Sequence, residues 1–134
     1  DLLKTLSQSG GMLGFSLYPH HLNDNSNCKL DNFCEMVART AEIMDVKNLG
    51  IGSDLCLNQP DEIVEWMRNG TWTKKKVYGE GTVNNVGFPD QPSWFKDARG
   101  FKNIESGLKK IGFNSDEING ILGNNWYNFY KGIN

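Results

Sequence analysis

Leu49-Gly50-Ile51-Gly52-Ser53-Asp54 is the stretch that decides the fold of this chain. Its large apolar residues and glycines occupy both faces of one short segment, which is typical of a buried strand in a parallel sheet. The glycines let neighbouring groups approach the backbone closely. Asp54 follows the carboxyl end of this strand, where enzymes with parallel sheets place reactive groups. Two interpretations of Asp54 are open. It is either a catalytic acid or a cap of the following turn or helix, since aspartate often serves as a cap.

A second apolar run, Met12–Tyr18, is closed by Pro19 and predicts another buried strand. The polar segment from His20 to Asn27 is predicted to be a loop. Apolar residues then recur at helical spacing from Leu30 to Asp45 and predict a helix, which leads into the second strand, Asn48–Gly52. A strand, a helix and a strand in this order form a right-handed crossover between parallel strands. We therefore expect an α/β fold.

Helices are predicted on both sides of this unit. An amphipathic helix ends at Gly10-Gly11, and a chain that opens inside a helix is expected to come from a longer protein. Another helix is predicted to begin at Pro60 and to end near Gly70, and it is expected to bury Ile63, Val64, Trp66 and Met67. Residues from about 71 to 98 form a long connection that is rich in aromatic side chains, which predicts a packed excursion.

Two more helices are predicted near the carboxyl end of the chain. The first covers Asn103–Ile111 and ends at Gly112, and the second begins after the N-cap residue Ser115. This last helix is expected to carry an apolar face made of Ile118, Ile121, Leu122, Trp126 and Phe129.

Composition excludes several classes of function. The chain has 14 basic and 16 acidic residues, and Lys74-Lys75-Lys76 is its only basic run, so a nucleic-acid partner is not expected. No apolar run reaches the length of a membrane span. Cys28, Cys34 and Cys56 lack metal or redox spacing and are expected to be free thiols, with Cys34 and Cys56 buried. Free thiols weakly favour a cytoplasmic location.

Four blocks of sequence occur in a fixed order along the chain. They are Gly10-Gly11-Met12-Leu13-Gly14-Phe15-Ser16-Leu17-Tyr18, then Leu49-Gly50-Ile51-Gly52-Ser53-Asp54, then Phe101 to Leu108 with Gly112-Phe113-Asn114-Ser115-Asp116-Glu117-Ile118, and finally Leu122-Gly123-Asn124-Asn125-Trp126 with Phe129. Together they resemble the C-terminal part of the renal, or membrane, dipeptidases. These enzymes form the peptidase M19 branch of the amidohydrolase superfamily.

The resemblance implies that residues 1–134 are the C-terminal portion of a (β/α)8 TIM barrel, with Met12–Tyr18 as the seventh strand, Asn48–Gly52 as the eighth, and C-terminal helices. Enzymes of this family hydrolyse dipeptides and related small amides with two zinc ions at the mouth of the barrel. Asp54 falls on the acid that takes a proton from the metal-bound water and passes it to the leaving amine. Tyr18 falls on an aromatic residue that lines the substrate pocket. One of the two adjacent histidines in the following loop, His20 or His21, is expected to contact the substrate, and His20 is the candidate.

Metal binding by this chain alone is not expected. The family's zinc ligands lie on earlier strands that the chain lacks, so we expect no bound zinc and no activity from the chain by itself. Leu55-Cys56-Leu57 replaces the family's Phe-Asp-Gly after Asp54, so a second acid is missing. His20 and His21 do not predict a metal site even with Asp24 nearby, because no third ligand lies at metal spacing.

A second class of function is open. The chain would then be a small, mainly helical interaction module, with Asp54 as a cap and the tryptophan-rich connection as a binding surface. In either case the outer edges of Met12–Tyr18 and Asn48–Gly52 need to be covered. Self-association through these strands is one solution, and folding of the helices after Pro60 across the gap is the other.

Overall fold

Two parallel strands form the centre of the molecule. The structure is a computed structural model that describes residues 2–55, 60, 62–63, 66 and 89–133. After helix α1 (Leu2–Gln8), strand β1 (Leu13–Ser16) is joined by helix α2 (Leu30–Ala41) to strand β2 (Leu49–Gly52). The strands pair in parallel, so that the first residue of β1 lies opposite the first residue of β2, and the last opposite the last.

The predicted crossover of strand, helix and strand is therefore present, with shorter elements than expected. β1 ends at Ser16 instead of Tyr18, because buried Pro19 starts a 3-10 turn over Pro19–His21. The predicted helix from Leu30 to Asp45 ends at Ala41.

Three further helices lie near the carboxyl end of the chain: α3 (Phe101–Lys110), α4 (Ser115–Asn119) and α5 (Asn125–Lys131). α3 is followed by Gly112, whose φ of 107° suits glycine, and α1 is followed in the same way by Gly10. Both ends are as predicted. Within the described part of the chain, no helix combines the length and the apolar character needed to cross a membrane.

The predicted cap of α4 is wrong by one residue. Asn114 is the N-cap, because its backbone is extended and its side chain accepts hydrogen bonds from the N–H groups of Asp116 and Glu117. The Glu117 carboxylate in turn accepts from the Asn114 N–H at 2.9 Å, which completes a capping box. Ser115 is already the first helical residue.

The single apolar-faced helix predicted after Ser115 is also interrupted. A π-type turn, Gly120–Asn124, separates α4 from α5, and Gly123 within it is non-helical. As a result Ile118 and Ile121 lie in the core, whereas Trp126 lies on a separate helix.

The main core lies between the sheet and helices α2 and α3. Phe15 of β1 meets Phe33 of α2 edge to face, with ring centroids 6.2 Å apart. The two helices approach closely where Gly107 faces the Cys34 thiol, since a Cβ at Gly107 would lie 2.6 Å from Sγ. Cys28 and Cys34 are buried free thiols. Burial raises the pKa of Cys34 to about 11, so this thiol remains protonated and unreactive at neutral pH.

The described end of the aromatic connection packs into this core. Trp94 and Phe95 are buried, and the Trp94 indole N–H donates to the carbonyl of Cys28 at 2.7 Å. Residues 71–88, Cys56, Val64 and Met67 lie outside the described residues. The prediction that Ile63 and Trp66 are buried is wrong, since their exposed fractions are 43% and 58%. The core beneath the sheet is already filled by α2, α3 and the Trp94–Phe95 pair.

The C-terminal segment covers strand β2. The Asn125 side-chain amide donates to the carbonyls of Val46 and Leu49, both at 2.8 Å. The next residue, Trp126, donates from its indole to the carbonyl of Ile51. Two ways of covering the exposed strand edges were considered, self-association and coverage by a late helix. At β2, helix α5 provides this cover. Among the described residues, no strand pairs with the edge of β1 that faces away from β2.

Candidate functional site

The two strands end side by side, so the residues that follow them meet. Ser16 is the last residue of β1 and lies opposite Gly52, the last residue of β2. Two residues later, Asp54 turns back with a left-handed backbone (φ 50°), which is uncommon for any residue other than glycine. In this conformation Asp54 Oδ2 accepts a hydrogen bond of 2.6 Å from Ser16 Oγ. An exposed carboxylate is therefore held at the carboxyl edge of the sheet by a contact between strands.

The hydroxyl of Ser16 takes part in three hydrogen bonds. It donates to Asp54, accepts from the Tyr18 N–H at 3.2 Å, and lies 2.9 Å from His21 Nδ1. A serine hydroxyl has one proton and two lone pairs. Because its proton points to Asp54, the contact with His21 requires the proton of that bond to be on Nδ1. The result is a chain of hydrogen bonds from His21 through Ser16 to Asp54.

Tyr18 and His20 lie beside this chain. The Tyr18 ring contacts both histidines, with its centroid 5.2 Å from that of His21 and 5.8 Å from that of His20. The structure thus brings Asp54, Tyr18 and His20, the three residues predicted for the site, to the same end of the sheet. His20 is linked to the others through the Tyr18 ring, whereas His21 joins the hydrogen-bond chain directly.

Among the described residues Asp54 makes its hydrogen bond to the neighbouring strand end, and residues 56–59, which a local cap would involve, lie outside the described residues. The turn after β2 is stabilised by Ser53, whose hydroxyl accepts from the Leu55 N–H at 3.4 Å. Asp54 instead accepts from a side chain that lies 38 residues away in sequence. Its carboxylate therefore connects the two strand ends.

Ser16 was not predicted as a site residue, and of the two adjacent histidines His20 was the predicted substrate contact. Ser16 carried one signal, since it is a polar residue at the end of an otherwise apolar run. His21 carried none that set it apart from His20, because the choice between them depends on the turn over Pro19–His21.

The donor groups at this edge do not make a zinc site by themselves. A catalytic zinc ion needs about three protein ligands, usually nitrogen, sulfur or carboxylate oxygen. His21 and Asp54 offer one imidazole and one carboxylate, and they are joined through Ser16. Over residues 2–55 and 89–133, no three His, Cys, Asp or Glu side chains form a group that could hold a metal ion.

Comparison with known proteins identifies a structural relative. No family model and no curated protein matches the chain. A crystal structure of an amidohydrolase from Pseudomonas aeruginosa is similar over 96% of this chain, with a TM-score of 0.76 and 19% sequence identity. This chain spans 38% of the length of that amidohydrolase chain. The molecule therefore has the fold of one part of an amidohydrolase chain.

Proposed function

We propose that this chain is the C-terminal part of a zinc-dependent hydrolase of the amidohydrolase superfamily, related to the M19 dipeptidases and acting on dipeptides or similar small amides. In this proposal the two strands are the seventh and eighth of a (β/α)8 barrel. The observation that carries it is the Asp54 carboxylate, which Ser16 holds at the carboxyl ends of two parallel strands. Reactive groups in barrel enzymes lie at this edge.

Asp54 is suited to move a proton during amide hydrolysis. Its side chain is exposed, and Ser16 binds Oδ2, which leaves Oδ1 for a water molecule. As water attacks the amide carbonyl, the carboxylate accepts a proton from the water. It then returns this proton to the nitrogen of the leaving amine as the C–N bond breaks. Tyr18 and His20 would line the substrate side of the site.

Zinc would be held by residues that this chain does not provide. Among the described residues, no group of three His, Cys, Asp or Glu side chains could hold a metal ion. When bound by such residues, zinc would supply Lewis-acid polarisation of the substrate carbonyl. The chain on its own is then expected to bind no zinc tightly and to be inactive.

A helical interaction module remains a second candidate because of the exposed aromatic residues on α5. Tyr127 and Tyr130 have exposed fractions of 66% and 62%. Trp94, in contrast, is buried and hydrogen-bonded, so it is not available on a binding surface.

The decisive experiment uses the longest reading frame that contains this chain. Its product, loaded with zinc, is expected to hydrolyse an unblocked dipeptide. Asp54→Asn should lower kcat by at least ~100-fold with unchanged zinc content, because the amide keeps the shape of the side chain but cannot carry the proton. Asp24→Asn is the matched control, since Asp24 is also an exposed acid with a positive φ and lies in the loop after β1.

Near-normal kcat in zinc-loaded Asp54→Asn would refute the role of Asp54. A product that binds no zinc and hydrolyses no dipeptide would favour the interaction module.

A further inference from the structure

His21 has no role in the reaction described so far. We propose that His21 is a ligand-facing residue whose Nε2 accepts a hydrogen bond from an N–H group of the bound molecule, and that Ser16 positions it for this task. The identity of the ligand, a dipeptide or small amide, rests on the proposed function. The position of the proton on the His21 imidazole does not rest on the proposed function, because it follows from the hydrogen bonds of this chain alone.

The hydrogen bonds determine which nitrogen of His21 is protonated. Ser16 Oγ gives its only proton to Asp54 and already accepts from the Tyr18 N–H, so it can only accept from His21. The proton of the neutral imidazole is therefore on Nδ1, and Nε2 carries the free lone pair. The bond made by one ring nitrogen thus sets the chemistry of the other.

The backbone holds His21 in place for this bond. The turn over Pro19–His21 is closed by hydrogen bonds from the His21 N–H to the Tyr18 carbonyl and from the Leu22 N–H to the Pro19 carbonyl, at 2.9 and 3.0 Å. Pro19 and Leu22 are buried, so the turn is attached to the core. The Tyr18 ring packs edge to face against His21 and limits rotation of the imidazole.

The free nitrogen is accessible to a ligand. His21 is exposed, and its hydrogen bond with the described residues is made through Nδ1. The acceptor therefore lies at the same edge of the sheet as the Asp54 carboxylate. Two neighbouring acceptors, an imidazole nitrogen and a carboxylate, suit a ligand that has several N–H donors, such as the amino end of a small peptide.

His20 provides an internal control, because it lies in the same turn and contacts the same tyrosine ring without joining the hydrogen-bond chain. Long-range ¹H–¹⁵N NMR of the isotopically labelled chain at about pH 8.5, where free histidine is neutral, reports the protonated nitrogen of each ring. The expected result is a proton on Nδ1 of His21. In Ser16→Ala the proton should move largely to Nε2, and Ser16→Thr, which keeps the hydroxyl, should retain the native state. His20 should not change in either variant.

A wild-type His21 with its proton mainly on Nε2 overturns the proposal, whether or not the variants fold. An unchanged His21 in folded Ser16→Ala overturns the positioning role of Ser16.

The ligand-facing role is tested in the zinc-loaded product of the longer reading frame. His21→Asn keeps an N–H donor near the place of Nδ1 but lacks the Nε2 acceptor, so KM should rise about tenfold, the usual effect of one lost hydrogen bond. Asp24→Asn, at an exposed loop residue with no part in the site, should stay within about twofold. An unchanged KM in His21→Asn overturns the ligand-facing role. A normal rate in Asp54→Asn together with the Nδ1 proton on His21 would refute the proposed function and leave the hydrogen-bond chain standing.

Discussion

The indole N–H of Trp126 donates a hydrogen bond of 3.1 Å to the carbonyl of Ile51, which binds helix α5 to strand β2. The same ring covers the glycine face of the sheet, since a Cβ on Gly14 or Gly50 would contact it. The small residues of the two strands thus provide the space that the tryptophan occupies. This arrangement gives the first prediction.

Gly50→Ala should destabilise the fold by about 1–3 kcal/mol, because the new methyl group would lie 2.7 Å from Cδ1 of Trp126 and would push the ring from its place. Gly52→Ala is the matched control. Among the described residues, a Cβ at Gly52 would meet only the Cα of Gly14, at the ordinary contact distance of 4.0 Å. Urea unfolding of both variants measures the difference. Equal stabilities would show that Trp126 does not pack on this face in solution.

Asn125→Ala should also lower stability, by about 1–3 kcal/mol, because the carbonyls of Val46 and Leu49 lose a shared donor in a partly buried place. Asn128→Ala serves as the control, since Asn128 is an exposed asparagine on the same helix and undergoes the same replacement. The difference between the two midpoints of thermal unfolding reports the side-chain hydrogen bonds. If both variants unfold alike, the amide does not support β2.

Acid should weaken the turn before α3. The side chain of Arg99, helped by its backbone N–H, lowers the pKa of Asp97 to about 2. Since the pKa of aspartate in the unfolded chain is about 3.9, this pair adds stability above about pH 4 and loses it as the pH falls toward about 2. In Arg99→Gln the pKa of Asp97 should rise toward its ordinary value. NMR titration of the carboxylate carbon measures it, with Lys96→Gln as the control for loss of a nearby positive charge. A midpoint that stays near 2 in Arg99→Gln would contradict this cause.

The chain is expected to associate with itself through β1. Among the described residues, no strand pairs with the edge of Leu13–Ser16 that faces away from β2. Unpaired backbone groups at a strand edge favour pairing with another chain. Light scattering over a range of concentrations should show a dimer or a higher oligomer that dissociates on dilution. A monomer at every concentration, with cooperative unfolding, would contradict this expectation and would strengthen the case for an independent module.

Several local features were predictable because they depend on neighbouring residues in the sequence. The apolar runs and their spacing predicted the two strands and helix α2. Gly112 predicted the end of α3, since a positive φ after a helix favours glycine. The cap of α4 was missed because Asn114 and Ser115 are both good N-cap residues, and only the backbone angles distinguish them.

The sequence by itself determined the parallel crossover and the position of Asp54 just after β2. Both follow from hydrophobic periodicity and from the geometry of strands, which are local properties. The tertiary structure alone decided that Ser16 binds Asp54, that His21 and not His20 joins them, and that Trp126 covers the glycine face. Each of these contacts depends on where packing places a side chain. Ser16 and Asp54 are 38 residues apart in sequence, and the position of His21 depends on the direction of the turn over Pro19–His21. Residue type and spacing carry no information about such directions.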